Sequence, residues 1–135
     1  MFVHEEKIRV RYAETDQMGY VYYGNYAAYY EVARTEMLRK TGFSYKELEE
    51  MGVMMPVLEM NIKYSQPAKY DELLTIKVII KEKPSVRIKF EYEVYDEAGT
   101  LLNTGNTQLV FVDMVRNRPC KAPEVFMQKM EPYFD

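Results

Sequence analysis

Residues Tyr26 to Lys40 carry the one long helical pattern of the chain, and its first half is apolar on nearly every side. Tyr26, Ala27, Ala28, Tyr29, Tyr30, Val32 and Ala33 leave only Glu31 charged before Arg34. A helix of that kind has to be covered on most sides. Asn25 stands where a cap belongs and Gly42 lies just past the end, so about four turns are predicted. The chain has 135 residues, enough for one core but not for two, and a single domain over residues 1–135 is expected.

The cover is readable in the rest of the chain. Ile8, Val10 and Tyr12 alternate with Lys7, Arg9 and Arg11, the period of a half-buried strand. Ser44 to Glu47 has the spacing of a capping box and opens a short helix that Gly52 can close. Beyond Gly52 the period is two throughout. Leu58, Met60, Ile62 and Tyr64 make one strand face, Ile76, Val78 and Ile80 the next, and Val86 to Val94 a third, ended by a hairpin turn at Asp96 to Gly99. Leu101 to Val115 supplies the last strand, with Leu109 to Val112 apolar on both faces, and the C-terminal residues from Cys120 read as a short helix or tail. One strand, one long helix and four strands with short connections predict an α+β domain, an antiparallel sheet with the helix against one face.

Several functions are excluded or disfavoured by what the chain lacks. The net charge is −3 with no basic block, which argues against a nucleic-acid partner. The N-terminal MFVHEEKIRV has neither the apolar core of a signal peptide nor a span of about 20 apolar residues, so a cytoplasmic protein without an integral membrane segment is expected. There is one cysteine, Cys120, and one histidine, His4, which leaves no clustered ligands for a metal and no ready Ser-His-Asp or Cys-His site. The glycines fit neither dinucleotide nor Walker-type phosphate loops. Carboxylates remain as acid, base or nucleophile.

Asp16 stands out among them, nine residues ahead of Asn25. An Asp in a turn ahead of a helix ordinarily bonds its own backbone. Its surroundings suggest more. Gly19 and Gly24 let the backbone approach a ligand closely, and the unpaired N–H groups of a first helical turn are donors for a developing oxyanion. Tyr20, Tyr22, Tyr23, Tyr26, Tyr29 and Tyr30 supply apolar bodies with polar tips, part pocket and part core. Met51, Met54, Met55 and Met60 would suit a pocket for variable apolar groups, although most methionines simply fill cores.

The run Tyr12, Glu14, Thr15, Asp16, Gly19, Val21, Tyr22, Asn25, Tyr26, Tyr30, Glu31, Ala33, Arg34 resembles the N-terminal signature of hotdog-fold acyl-CoA thioesterases of the 4-hydroxybenzoyl-CoA thioesterase and YbgC type. The segment from Tyr64 to Leu74 resembles the stretch leading into their third strand. The resemblance implies a five-stranded antiparallel sheet wrapped around one long helix, dimers that pair their sheets edge to edge and often form tetramers, and active sites at subunit interfaces. An open sheet independently needs its edges covered.

Carried over, the resemblance makes Asp16 the catalytic carboxylate and the Tyr23 backbone N–H the group that polarises the thioester carbonyl. An Asp carboxylate is ionised at neutral pH and can act as nucleophile or as general base; both remain open. Gly19, Tyr22, Gly24, Asn25 and Tyr26 would line the substrate site, Asn25 fixing the helix start, while Glu31 and Arg34 form a structural pair one turn apart. Many YbgC-type members have histidine where this chain has Tyr23, so a relay through that histidine is unavailable. The phosphates of coenzyme A would need cations, for which Arg87 and Lys89 are candidates. The implied substrate is an acyl-CoA or an acyl group on a carrier protein, with no separate cofactor because coenzyme A is part of the substrate. A non-catalytic acyl-CoA sensor of the same fold is the alternative. A hotdog dehydratase ranks last, since it would be expected to use a histidine and His4 is poorly placed.

Overall fold

The computed structural model describes residues 1–134. Its long strands are β1 (Phe2–Arg9), β3 (Val57–Tyr64), β4 (Leu73–Ile80), β5 (Arg87–Tyr95) and β6 (Leu101–Val110); the short ones are β2 (Val53–Met54), β7 (Val112–Asp113) and β8 (Arg118–Pro119). The helices are α1 (Tyr26–Lys40), α2 (Tyr45–Glu50) and α3 (Glu124–Met130). The five long strands form one antiparallel sheet in the order β1-β4-β5-β6-β3, and α1 lies across its inner face, chiefly over β1 and β4. This is the arrangement the sequence predicts. None of the described helices is long and apolar enough to cross a membrane.

The alternation of the strands decides the faces. Leu74, Ile76, Val78 and Ile80 on β4 and Ile88, Phe90, Tyr92 and Val94 on β5 are buried against α1, while Arg87, Lys89, Glu91 and Glu93 point to the outer face. α1 answers with Tyr26, Tyr29, Tyr30, Ala33, Arg34, Met37 and Leu38, spaced three and one apart as one stripe of a helix. Tyr30 stacks on Tyr92 with ring centroids 4.0 Å apart, so the helix is seated on the sheet by parallel aromatic rings.

Several local expectations change. The cover over α1 is less complete than predicted: Ala27, Ala28 and Val32 are exposed, because a helix against one open sheet buries one face only. The first strand stops at Arg9, and Tyr12 begins a 3-10 turn, 79% exposed, because Glu14 takes the Arg11 backbone N–H and turns the chain. Leu58 leaves the inner face of β3 at a bulge between Val57 and Glu59, and Val57 takes its place. The last strand breaks after Val110, and β7 pairs with β2 and β8 as a second, three-stranded sheet. Leu109 to Val112 are all buried, as their double apolar pattern requires.

The capping box of α2 is half present. Ser44 Oγ accepts from the Glu47 N–H at 3.2 Å, while the Glu47 carboxylate turns to the same hydroxyl. Consecutive β3 and β4 are not neighbours, since residues 65–72 carry the chain across the fold. That crossing leaves β3 as a free edge, and Val57, Leu58, Met60 and Tyr64 on it are all at least two-fifths exposed.

Candidate active site

The loop between β1 and α1 is held by two carboxylates with different tasks. Glu14 is structural. Its Oε1 accepts from the Arg11 N–H at 2.8 Å and from the Tyr29 hydroxyl at 2.9 Å, its Oε2 meets the Arg11 guanidinium at 2.7 Å, and its backbone oxygen accepts from the Tyr22 N–H and from Asn25 Nδ2. Burial alone would raise the Glu14 pKa, but the bonds from Arg11 and Tyr29 outweigh it and hold the carboxyl below its usual 4.5.

Asp16 uses half of its carboxylate in the same way. Oδ1 accepts from the N–H groups of Met18 at 2.9 Å and Tyr20 at 3.2 Å, and the backbone closes the turn through Asp16 N–H to Tyr20 and Gly19 N–H to Asp16. Gly19 sits at φ +79°, the left-handed conformation that closes this turn. Oδ2 takes no hydrogen bond from the described residues. It belongs to a side chain lining a cleft of about 430 Å³ whose walls include Tyr23, Tyr26, Tyr64, Gln66 and Pro67.

The helix start faces the same cleft. Tyr23 to Asn25 form a 3-10 turn that runs directly into α1. As the first groups of that turn, the Tyr23 and Gly24 N–H have no intrahelical acceptor, and no other described group accepts from them. Asn25 therefore does not cap α1 as expected. The chain is already helical there, at φ −76° and ψ −16°, and the side chain ties the helix start back to Glu14 instead.

The remaining candidates fall in three places. Tyr26 lines the cleft, with its phenol pushed up to about 12 by burial. Tyr22 and Gly24 stand behind the wall: the Tyr22 ring packs on Tyr23 and covers Gly24 so closely that a Cβ there would lie 2.8 Å from it. Arg87 and Lys89 are elsewhere. Tyr64 at the cleft is level with Asn103 and Val94 across the sheet, so Lys89 and Arg87 lie about 17 and 24 Å down β5 and on the outer face. Met51, Met54, Met55 and Met60 also miss the cleft: Met54 and Met55 line a separate cavity of about 230 Å³ with Arg34 and Tyr45, near the Val57 end of β3. His4 lies on β1 beside Glu6 and is not among the residues of the cleft.

Met18, Tyr64, Ser65, Gln66 and Pro67 line the cleft as well, and sequence spacing does not mark them as site residues. The Tyr20–Lys69 bridge and the bond from the Val21 N–H to the Ala68 oxygen dock the 65–72 crossing against the Asp16 loop, which the Thr15–Val21 bridge closes on itself. Pro67 among polar residues marks a loop, but nothing local shows that the loop returns to the helix start. No group of three or more metal-ligating side chains occurs among the described residues.

A carboxylate oxygen, the free Tyr23 N–H at the helix start and an aromatic-walled cleft make a site suited to attack on a carbonyl. A family model described as the thioesterase-like superfamily matches residues 10–130. The chain belongs to that superfamily. It is 36% identical over 126 residues to the putative acyl-CoA thioesterase YneP of Bacillus subtilis, covering 93% of this chain and 91% of that one. It is also 36% identical over 117 residues to the acyl-CoA thioester hydrolase YbgC of Escherichia coli, covering 87% of each. Among solved structures it resembles the DHNA-CoA thioesterase from Staphylococcus aureus, with a TM-score of 0.90 and 35% identity over 98% of this chain and 89% of that one. The hotdog fold and the thioester hydrolase class follow from these relationships together with the sheet and helix described above.

Proposed function

We propose that this chain hydrolyses acyl-CoA thioesters to a free acid and coenzyme A, with Asp16 as the catalytic carboxylate. The observation that carries the reading is the division of labour within Asp16: Oδ1 anchors the turn, and Oδ2 is left unbonded on a side chain that lines the same cleft as Tyr23. The thioester carbonyl oxygen rests on the unpaired Tyr23 N–H, which stabilises the tetrahedral oxyanion. As general base, Asp16 takes a proton from water, the hydroxide oxygen bonds to the carbonyl carbon, the C–S bond breaks and the thiolate recovers a proton. As nucleophile, Asp16 bonds to the carbon itself, expels the thiolate and forms a mixed anhydride that water then cleaves. Both routes use the same geometry.

Tyr26 and Tyr64 form the walls along which the acyl group lies. Two copies of the chain pair through β3, the free edge, and a dimer of such dimers is the expected assembly. Arg87 and Lys89 then serve the phosphates of coenzyme A from a neighbouring protomer. The acyl donor is coenzyme A or a carrier protein, and the reaction is assigned to the cytoplasm.

The test is thiol release from short-chain, long-chain and aromatic acyl-CoAs, with Asp16→Asn as the control. Asn keeps an Oδ1 acceptor for Met18 and Tyr20, so the loop persists while the carboxylate is lost. A fall of about 10²–10⁴-fold in turnover is expected. Undiminished turnover in the variant would remove Asp16 from the chemistry, and a native protein that binds acyl-CoA without cleaving it would be a sensor.

A further inference from the structure

Asn103 is, with Arg34 and Thr107, one of the buried polar side chains of the core. It sits on the inner face of β6 at 0% exposure, level with Tyr64 on β3 and Val94 on β5. Its Oδ1 accepts from the Tyr30 hydroxyl at 2.8 Å. Its Nδ2, also buried, has no partner within hydrogen-bonding distance. A buried amide donor left unmade costs about 1–3 kcal/mol, so a position that keeps one is expected to have a use for it.

The surroundings identify the use. Tyr64, level with Asn103, approaches Tyr26 at a centroid separation of 5.8 Å, and both rings wall the Asp16 cleft. Tyr26 is itself 3% exposed and sets its ring edge-on to Tyr29. Tyr26 stands one turn before Tyr30 on the same buried face of α1, so the amide that holds Tyr30 faces the Tyr26 side of the helix as well, and burial pushes the Tyr26 phenol up to about 12.

We propose that Asn103 is a positioning residue for this cleft: Oδ1 holds Tyr30, Nδ2 closes onto the Tyr26 hydroxyl, and one buried amide thereby fixes two rings of the first turns of α1. Leu or Val at position 103 would bury as well and avoid the orphaned donor, but neither could fix the rotation of both phenols. The wall that faces Asp16 and the acyl group is set by that rotation. Asn103 touches no substrate and acts through Tyr26. The role deepens the hydrolase reading and rests on it for its kinetic consequences, whereas the proposed Asn103–Tyr26 bond is tested without it.

The experiment has two arms. In the first, Tyr26→Phe, Asn103→Leu and the double variant are compared for thioester hydrolysis. Each single variant is expected to lose about 10- to 100-fold in kcat with little change in KM, as for a misplaced reacting group. The double variant is expected to lose no more than Asn103→Leu alone, since that change already removes the bond to Tyr26. Tyr26→Phe keeps the packing, so native turnover in it overturns the proposal even if Asn103→Leu folds poorly. Losses that multiply in the double variant overturn it as well.

In the second arm, 3-fluorotyrosine is placed at position 26 and its fluorine resonance is titrated. Loss of the Nδ2 donor in Asn103→Leu should raise the midpoint, because that donor favours the phenolate. An unmoved midpoint overturns the contact. Absence of turnover in the native protein would defeat the hydrolase reading alone, leaving the fluorine titration to decide the contact.

Discussion

Gly105 lies on β6 between Ile62 on β3 and Tyr92 on β5, on the inner face of the sheet. A Cβ there would stand 2.6 Å from the Tyr30 hydroxyl, 2.7 Å from its Cε2 and 2.7 Å from the backbone oxygen of Asn61. Ordinary contact begins at 3.4 Å, so something must move by several tenths of an ångström. Tyr30 cannot retreat easily, being stacked flat on Tyr92 and bonded to Asn103. Overpacking of this kind costs about 1–3 kcal/mol, and loss of the Tyr30–Asn103 bond adds about 1. Alanine recovers about 0.5–1 kcal/mol through the lower entropy of its unfolded chain. Gly105→Ala is therefore expected to destabilise by about 2–3 kcal/mol.

With a urea m value of about 2 kcal/mol/M, that is a midpoint lower by about 1–1.5 M, measured at one protomer concentration because assembly shifts apparent stability. Gly24→Ala is the matched comparison. Its Cβ would meet the Tyr22 ring at 2.8 Å, but that ring is 47% exposed at the end of a flexible side chain and can swing into solvent. It should change stability by less than about 0.5 kcal/mol. Equal midpoints for the two variants would refute the claim that Tyr30 is pinned.

Two further outcomes follow from the site loop and the sheet edge. The folded-state pKa of Glu14 is held below 4.5, so its contribution to stability is present above that pH and is lost as pH falls through the lower, folded value. Glu14→Gln should flatten the acid limb of a Tm-versus-pH curve below about pH 4.5, and parallel limbs in the two proteins would reject the assignment. Met60→Lys puts a charge on the exposed inner face of β3, and the expected result is a monomer in sedimentation with greatly reduced turnover. An unchanged sedimentation coefficient would show that β3 is not the pairing edge.

Periodicity was a good guide wherever one face of an element is buried in its own chain. Tyr26 to Lys40, and the alternation of β4 and β5, are legible for that reason, and Gly42 at φ +86° ends α1 where its position implies. Long-range placement was not legible. Consecutive strands suggested neighbours, yet β3 and β4 are separated by two strands, and only the finished sheet shows β3 as the free edge. Residues 64–67 reach the Asp16 cleft from about 50 positions away, through bridges between backbone groups that leave no side-chain signature. Arg87 and Lys89 are charged members of the β5 alternation, and that alternation puts them on the outer face, away from the cleft. Asn25 looked like a cap because helix caps are sought one residue before an apolar run. The 3-10 turn ahead of it moves the unpaired N–H groups to Tyr23 and Gly24.

The oldest objection to reading Asp16 as functional is that an Asp before a helix usually bonds its own turn, and here it does. The geometry shows why that does not count against it. A carboxylate that swung freely into a 430 Å³ cleft would sample many orientations, whereas one whose Oδ1 is fixed by two backbone N–H groups presents Oδ2 in a narrow set of directions. The same turn is bonded to Glu14 and Asn25 only through backbone and helix start, so the acid and the Tyr23 N–H are positioned by one rigid unit. Under the proposed mechanism the turn is the device that aims the acid. Replacing Gly19 should separate the two roles: at φ +79° and with open space around it, Gly19→Ala strains the backbone without clashing with anything. Turnover should fall further than stability, because a tilt of the turn by a fraction of an ångström costs alignment at Oδ2 long before it costs the core. Equal proportional losses, measured by thiol release and urea melting on the same preparation, would mean that the turn serves only the fold.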